Sequence, residues 1–147
     1  MIELNNLTAR KIDENFFKEV VSQVLKEEKA KKEVELSIAF VGTARMRKLN
    51  KEYRGKNRVT DILSFGGPEA LPMDNNDLIL GEIVLCPRVV AKNAKRLDSS
   101  FEKEMTVCLI HGVLHLLGYD HAKGEKEARE MESKQDEYFL KLFANNK

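Results

Sequence analysis

Three histidines lie within eleven residues of this chain, and the sequence contains no others. His111 and His115 are four residues apart, a spacing that places two side chains one turn apart on the same face of a helix. Gly118 then ends the helix, so the chain can turn back and deliver His121 to the same point. Three neutral imidazoles suit zinc and leave its fourth position for water, as in catalytic zinc sites. The spacing therefore predicts a catalytic zinc site, although nickel, copper and iron also accept imidazole.

Two neighbouring residues could take part in this site. Cys108 is one turn before His111 and could supply a fourth, thiolate ligand, which would make the zinc structural; we favour its alternative role as a small buried residue. Asp120 is next to His121 and could accept a histidine N–H and so orient the ring. Its alternative role is to cap a turn.

The histidine spacing also matches the skeleton of the long zinc-peptidase motif. In that motif the residue after the first histidine is a glutamate that serves as general base. Here that residue is Gly112, which has no side chain to move a proton. Peptide hydrolysis is therefore the alternative function and not the preferred one.

Basic residues are concentrated in two places, although the whole chain has a net charge of only +1. We call residues 45–58 the basic segment, because it contains seven basic residues and only one acidic residue, Glu52. The basic residues are Arg45, Arg47, Lys48, Lys51, Arg54, Lys56 and Arg58. A second group contains Arg88, Lys92, Lys95 and Arg96. Two basic surfaces beside a metal suit a polyanion such as RNA, and a solvated helix face is the alternative.

Hydrophobic periodicity predicts the elements that must position these residues. Helices are expected after Asp13, over 43–53, 87–97 and 100–117, and after Gly124. Strands are expected over 2–5, 34–41, 60–65 and 78–85, and Gly81 interrupts the last of them. A loop is expected over 69–77. Thr43 is predicted to cap its helix, and Ser99 with Glu102 to form a capping box. The mixture predicts an α+β fold: a small mixed sheet of about four strands packed against about five helices.

Length and composition limit the remaining choices. The 147 residues, 42% of them hydrophobic, suit one compact domain over 1–147. Two cysteines without CxxC spacing predict no disulfide framework. The N-terminal residues lack the pattern of a secretory signal, and the most apolar stretch, 106–117, is shorter than the ~20 residues of a membrane span. We therefore expect a cytoplasmic protein.

Three segments together resemble the YbeY family of bacterial endoribonucleases, also described as rRNA maturation factors. They are HGVLHLLGYDH at 111–121, LNKEYRGKNRVTDILSF at 49–65 and LGEIVLC at 80–86. The resemblance implies a single metal-dependent endoribonuclease domain with one zinc ion on His111, His115 and His121. It also implies single-strand-specific RNA cleavage in maturation of the 16S rRNA 3′ end and in ribosome quality control. Expected partners are single-stranded RNA, ribosomal RNA and the small ribosomal subunit, with neither membrane nor DNA.

The resemblance also assigns individual residues. Arg54 matches an arginine tied to activity in the family, and a guanidinium can bond two phosphate oxygens at once. Together with Lys51, Lys56 and Arg58 it is expected to bind the substrate, and with His111 and His115 it forms the expected catalytic set. Gly66 stands where proline is commoner in the family, and Glu82 stands where aspartate is commoner. These two differences are expected to affect the shape of the substrate channel.

The sequence leaves two questions open. Asp61, Asp120 or the 2′-hydroxyl of the RNA could handle the proton in the reaction. Besides the endoribonuclease, a zinc hydrolase of another substrate and a non-catalytic ribosome-assembly factor with structural zinc remain as alternatives.

Overall fold

Four strands and five helices make up the part of the chain that the computed structural model describes, residues 1–30, 34–66, 79–119 and 124–144. The strands are β1 (Ile2–Asn6), β2 (Glu35–Phe40), β3 (Ile62–Gly66) and β4 (Ile79–Leu85). The helices are α1 (Glu14–Glu27), α2 (Thr43–Arg54), α3 (Pro87–Arg96), α4 (Phe101–Leu116) and α5 (Glu125–Ala144). The predicted α+β class is confirmed. The predicted loop 69–77 lies outside the described residues, as do Asp120 and His121.

The sheet is mixed, with strand order β1-β2-β4-β3. β1, β2 and β4 are parallel to one another, and β3 runs antiparallel to β4 at one edge. Parallel neighbours require a crossover connection, which α1 provides between β1 and β2. β3 pairs with β4 from Ile62 opposite Leu85 to Gly66 opposite Gly81.

The two faces of the sheet pack against different helices, because successive side chains of a strand point to opposite faces. Ile83 of β4 joins a core cluster with Phe17 of α1 and Leu109 of α4. The next residue, Val84, joins a second cluster with Met46 of α2. The histidine helix α4 and the basic helix α2 therefore lie on opposite faces of one sheet.

α4 packs closely on the β3–β4 pair. A β carbon added at Gly112 would lie 2.9 Å from Ile62 Cδ1 and 3.1 Å from Ile83 Cδ1. The absence of a side chain at this position lets the helix approach the two strands at the level of the histidines.

Gly66, the predicted departure from the family pattern, has a structural reason in this chain. Its φ of +126° is unavailable to proline, whose ring fixes φ near −65°. A β carbon at this position would also lie 2.7 Å from Gly81 Cα on the paired strand. β3 therefore ends in a close approach of two glycine backbones.

Three local predictions are wrong in detail. Gly42, and not Thr43, is the N-cap of α2, so Thr43 is already a helical residue. Ser100 caps α4, accepting a 3.1 Å bond from Lys103 N, so a capping box from Ser99 does not form. β4 continues through Gly81, although its pairing with β2 shifts register there: Glu35 pairs with Ile79 and Leu36 with Gly81.

Candidate functional site

His111 and His115 lie one turn apart on α4, as predicted, and both are half-buried. Cys108, one turn earlier and also half-buried, lies on the same side of the helix, and we call these three residues the histidine stripe. The helix starts at the Ser100 cap and stops before Gly118, whose φ of +108° lies in the range that favours glycine. The predicted helix end is thus confirmed. His121, the third predicted ligand, lies outside the described residues.

His111 is held by a residue of α5 that was not predicted from the sequence to have a role in the site. Its Nδ1 lies 3.0 Å from Gln135 Oε1. A carbonyl oxygen can only accept, so Nδ1 donates in this contact, and in the neutral ring Nε2 is then the nitrogen with the lone pair. Gln135 interrupts the apolar spacing of α5 between the buried Met131 and Tyr138, which is the signal that could have marked it.

Asp61, the residue before β3, reaches the histidine stripe. Its Oδ2 accepts a 3.8 Å contact from Cys108 Sγ, and its Oδ1 accepts a 3.3 Å bond from Thr60 Oγ1. Burial, with the nearby carboxylates of Asp61 and Glu104, raises the pKa of the Cys108 thiol to about 12. The Cys108 thiol, one turn from His111, is therefore protonated at neutral pH. It points at the carboxylate of Asp61.

The basic segment lies on the other face of the sheet. Arg54 and Lys51 are exposed in the last turn of α2, and Lys56 and Arg58 are exposed in the residues that follow. Across the described ranges, no carboxylate forms an ion pair with a basic side chain of this segment. The predicted substrate-binding residues therefore follow one another at the end of α2 as exposed cations that have no carboxylate partner within those ranges.

Asn50 fixes the backbone that follows α2 and carries this surface. No role was predicted for this residue from the sequence. It is 3% exposed, and its Nδ2 donates a 2.9 Å bond to the carbonyl of Arg58. Its own carbonyl accepts a 3.3 Å bond from Lys56 N. A buried polar residue on a helix usually has such a backbone partner, and its position beside the apolar Met46 stripe was the available signal.

The edge strand β3 connects the two groups of residues. On one face, Ile62 lies against Gly112, beside His111. On the other face, Phe65 contacts the ring of Tyr53 in the last turn of α2, with ring centroids 5.1 Å apart. The histidine stripe and the end of the basic segment therefore flank the same five-residue strand.

A family model described as "Endoribonuclease YbeY" matches residues 3–143, nearly the whole chain. The chain belongs to this family. Among its relatives, endoribonuclease YbeY of Thermodesulfovibrio yellowstonii is 50% identical over 96 residues, 65% of this chain and 59% of the relative. Endoribonuclease YbeY of Bdellovibrio bacteriovorus is 40% identical over 142 residues, 93% of this chain and 89% of the relative. The solution structure of TM1509 from Thermotoga maritima superposes with a TM-score of 0.69 at 31% identity, covering 99% and 91% of the two chains.

Membership in the YbeY family gives the chain its activity. The chain is an endoribonuclease, a hydrolase that cuts RNA phosphodiester bonds within a strand. Within the described ranges, no third histidine, cysteine, aspartate or glutamate completes a metal-binding group with His111 and His115. In the same ranges no helix is long and apolar enough to cross a membrane.

A half-buried carboxylate anchors the chain where it leaves the histidine helix. Glu28, at the end of α1, accepts a 2.8 Å hydrogen bond from the Tyr119 hydroxyl and a second, short one from the Tyr138 hydroxyl. Lys134 Nζ lies 3.7 Å from the same carboxylate. The end of α1, the residue after Gly118 and helix α5 are thus joined at one point.

Proposed function

We propose that this chain is a zinc-dependent, single-strand-specific endoribonuclease that matures the 3′ end of 16S rRNA and takes part in ribosome quality control in the cytoplasm. The observation that carries this proposal is the pair His111 and His115, with His111 oriented by Gln135, in a chain of the YbeY family. Ribosomal RNA and the small ribosomal subunit are then its partners.

The donor chemistry of the stripe fits a zinc ion. Ligating histidines usually donate their second ring N–H to a carbonyl or carboxylate, which fixes the tautomer. Gln135 accepts such a bond from His111 Nδ1, so Nε2 has the lone pair that a metal requires. His111, His115 and His121 would hold one ion, and Asp120 would orient the ring of His121. When bound, zinc lowers the pKa of a coordinated water from 15.7 toward about 7 and polarises a phosphoryl oxygen.

Arg54 and its basic neighbours would bind the RNA backbone. Its guanidinium can bond two oxygens of one phosphate and stabilise the charge that develops in the transition state. Lys51, Lys56 and Arg58 would hold the adjacent phosphates. Their exposure and the absence of ion pairs in the described ranges support this role, because no carboxylate competes with the RNA there.

Asp61 is the described carboxylate that could take the proton of an attacking water. Its contact with Cys108 places it beside the histidine stripe. Asp120 and the 2′-hydroxyl of the RNA are the other two candidates. Attack by the 2′-hydroxyl leaves a cyclic phosphate and attack by water does not, so mass spectrometry of the cleavage products separates the two routes.

Two observations argue against the alternative functions. Position 112, where a zinc peptidase has its glutamate, is a glycine packed against Ile62 and Ile83. The Cys108 Sγ donates to Asp61 Oδ2 at 3.8 Å, and this contact favours a buried, hydrogen-bonded thiol over a fourth ligand that would close the zinc site and make it structural.

The experiment that tests the proposal combines a cleavage assay with a metal assay. Purified wild type, His115→Ala and Cys108→Ala are incubated with a single-stranded fragment of the 16S rRNA 3′ end, and bound metal is quantified by mass spectrometry. We expect one zinc ion and cleavage for the wild type and for Cys108→Ala, and neither for His115→Ala. A wild type that binds zinc without cutting, or loss of zinc in Cys108→Ala, would contradict the proposal.

A further inference from the structure

Tyr53 is an exposed aromatic residue in the middle of the basic segment. It lies in the last turn of α2, next to Arg54, and 63% of its side chain is exposed. Aromatic rings are more often buried, because each removes a large apolar area from water. An exposed ring among cations is a combination typical of surfaces that bind single-stranded nucleic acid.

Phe65 of β3 supports this ring from below. The two rings meet at an interplanar angle of 63°, with their centroids 5.1 Å apart. Phe65 is half-buried against the cluster formed by residues such as Val84 and Leu63, so its position is fixed by the sheet. The contact orients the Tyr53 ring while most of its surface remains in solvent.

We infer that Tyr53, supported by Phe65, is a stacking platform for an unpaired base of the RNA substrate. The inference rests on the proposed function and adds a base-binding subsite to it. Any base has a flat face that can stack on an aromatic ring, so the platform tolerates different sequences. Bases inside a duplex already stack on one another and present no free face. The platform therefore gives a physical reason for a preference for single strands.

The position of the platform suits the proposed chemistry. Phe65 and Ile62 belong to the same strand, and Ile62 lies against Gly112 beside His111. The platform and the histidine stripe thus lie on opposite faces of the edge strand β3. An RNA strand that passes around this edge can stack one base on Tyr53 and present a phosphodiester on the histidine side.

The test measures RNA affinity and its dependence on salt. Fluorescence anisotropy compares a labelled single-stranded RNA oligonucleotide with a duplex of the same sequence, for wild type, Tyr53→Ala, Tyr53→Phe and Lys51→Ala. We expect Tyr53→Ala to weaken single-strand binding about tenfold at every salt concentration and to leave duplex binding unchanged. Tyr53→Phe should restore binding. Lys51→Ala should instead reduce the salt dependence of binding to both RNAs, by about one unit of slope.

Leu140→Ala is the matched control, because this residue is similarly exposed, at 61%, on α5, outside the basic segment. It should bind both RNAs as the wild type does. Unchanged single-strand affinity in Tyr53→Ala, an equal loss for the duplex, or no recovery in Tyr53→Phe would overturn the platform. If the wild type itself neither binds nor cuts single-stranded RNA, the proposed function fails and the platform fails with it. If the wild type cuts RNA and Tyr53→Ala binds single-stranded RNA as tightly as the wild type, the platform is overturned and the proposed function stands.

Discussion

The two sides of the edge strand β3 are built in different ways. On the histidine side, α4 packs so closely that a β carbon at Gly112 would have to displace the Cδ1 atoms of Ile62 and Ile83, and His111 is held by Gln135. On the basic side, Arg54 and its neighbours are exposed, and the buried Asn50 fixes their backbone through hydrogen bonds. Reacting groups require a fixed geometry, whereas a flexible polyanion needs accessible charge. Substitutions on the first side should therefore change stability or metal binding, and those on the second should change RNA binding and cleavage while stability and metal binding are kept.

Gly112→Glu tests how strictly the histidine side is packed. The new side chain would meet Ile62 and Ile83 and bury a carboxylate among apolar groups. We expect a loss of at least about 3 kcal/mol in the free energy of unfolding, measured by urea denaturation. Lys103→Glu, on the exposed side of the same helix, is the control and should stay within about 0.5 kcal/mol of the wild type. A stable Gly112→Glu that cleaves peptides would instead support the peptidase alternative.

Arg54→Ala tests the opposite expectation on the basic side. The residue is exposed and has no ion pair in the described ranges, so the free energy of unfolding should change by less than about 0.5 kcal/mol. The rate constant for RNA cleavage should fall about 10²- to 10³-fold, since the guanidinium proposed to stabilise the charge of the transition state is lost. Bound zinc should be retained.

Two further variants show whether the loss belongs to the guanidinium itself. Arg54→Lys keeps the charge and loses the two-pronged contact, so it should recover RNA affinity more than the cleavage rate. Arg129→Ala removes an exposed arginine of α5, outside both basic groups, and should leave the cleavage rate constant unchanged. Full cleavage by Arg54→Ala would remove this arginine from the catalytic set.

Gln135→Leu tests whether Gln135 orients the ring of His111 or only packs within α5. Loss of the acceptor for Nδ1 should weaken zinc binding about 10- to 100-fold, measured by competition with a chelator. Gln135→Glu keeps an acceptor and should bind zinc at least as tightly as the wild type. Gln23→Leu, an exposed glutamine of α1, is the control for the change of side chain. Equal zinc affinity in Gln135→Leu and the wild type would show that Gln135 does not position the ligand.

Much of the fold follows from local periodicity. Buried positions of β2 alternate at Leu36, Ile38 and Phe40, and the apolar residues of α1 recur at helical spacing, so both elements are predicted. The same reasoning places His111 and His115 on one face of a helix. Prediction fails where neighbouring residues compete for one role, as Ser99 and Ser100 do for the N-cap of α4.

The partners of the site residues could not be predicted in the same way, because they are far apart in the chain. Gln135 is 24 residues from His111, Asp61 is 47 residues from Cys108, and Glu28 is 110 residues from Tyr138. Periodicity identifies the face on which such a residue lies but not which element packs against that face. The assignments of His121 and Asp120 remain predictions, since both lie outside the described residues.

Glu28→Gln should have the smallest effect on stability, and the size of this effect depends on pH. Burial alone would raise the pKa of Glu28, but hydrogen bonds from Tyr138 and Tyr119 and the charge of Lys134 outweigh it, so this pKa lies below its ordinary value of 4.5. A carboxylate with a lowered pKa stabilises the folded state above about pH 4.5, and this contribution is lost as the pH falls through the folded value. At pH 7 the variant should be less stable than the wild type by about 1 kcal/mol.

Urea denaturation from pH 7 to pH 3 measures this dependence. As the pH falls below about 4.5, the stabilities of wild type and Glu28→Gln should converge, because the wild-type carboxylate takes up a proton and loses its advantage. Glu19→Gln, an exposed carboxylate on the same helix, is the control, and its stability should follow the wild-type curve. A constant difference between Glu28→Gln and the wild type at every pH would mean that the carboxylate acts through packing and not through its charge.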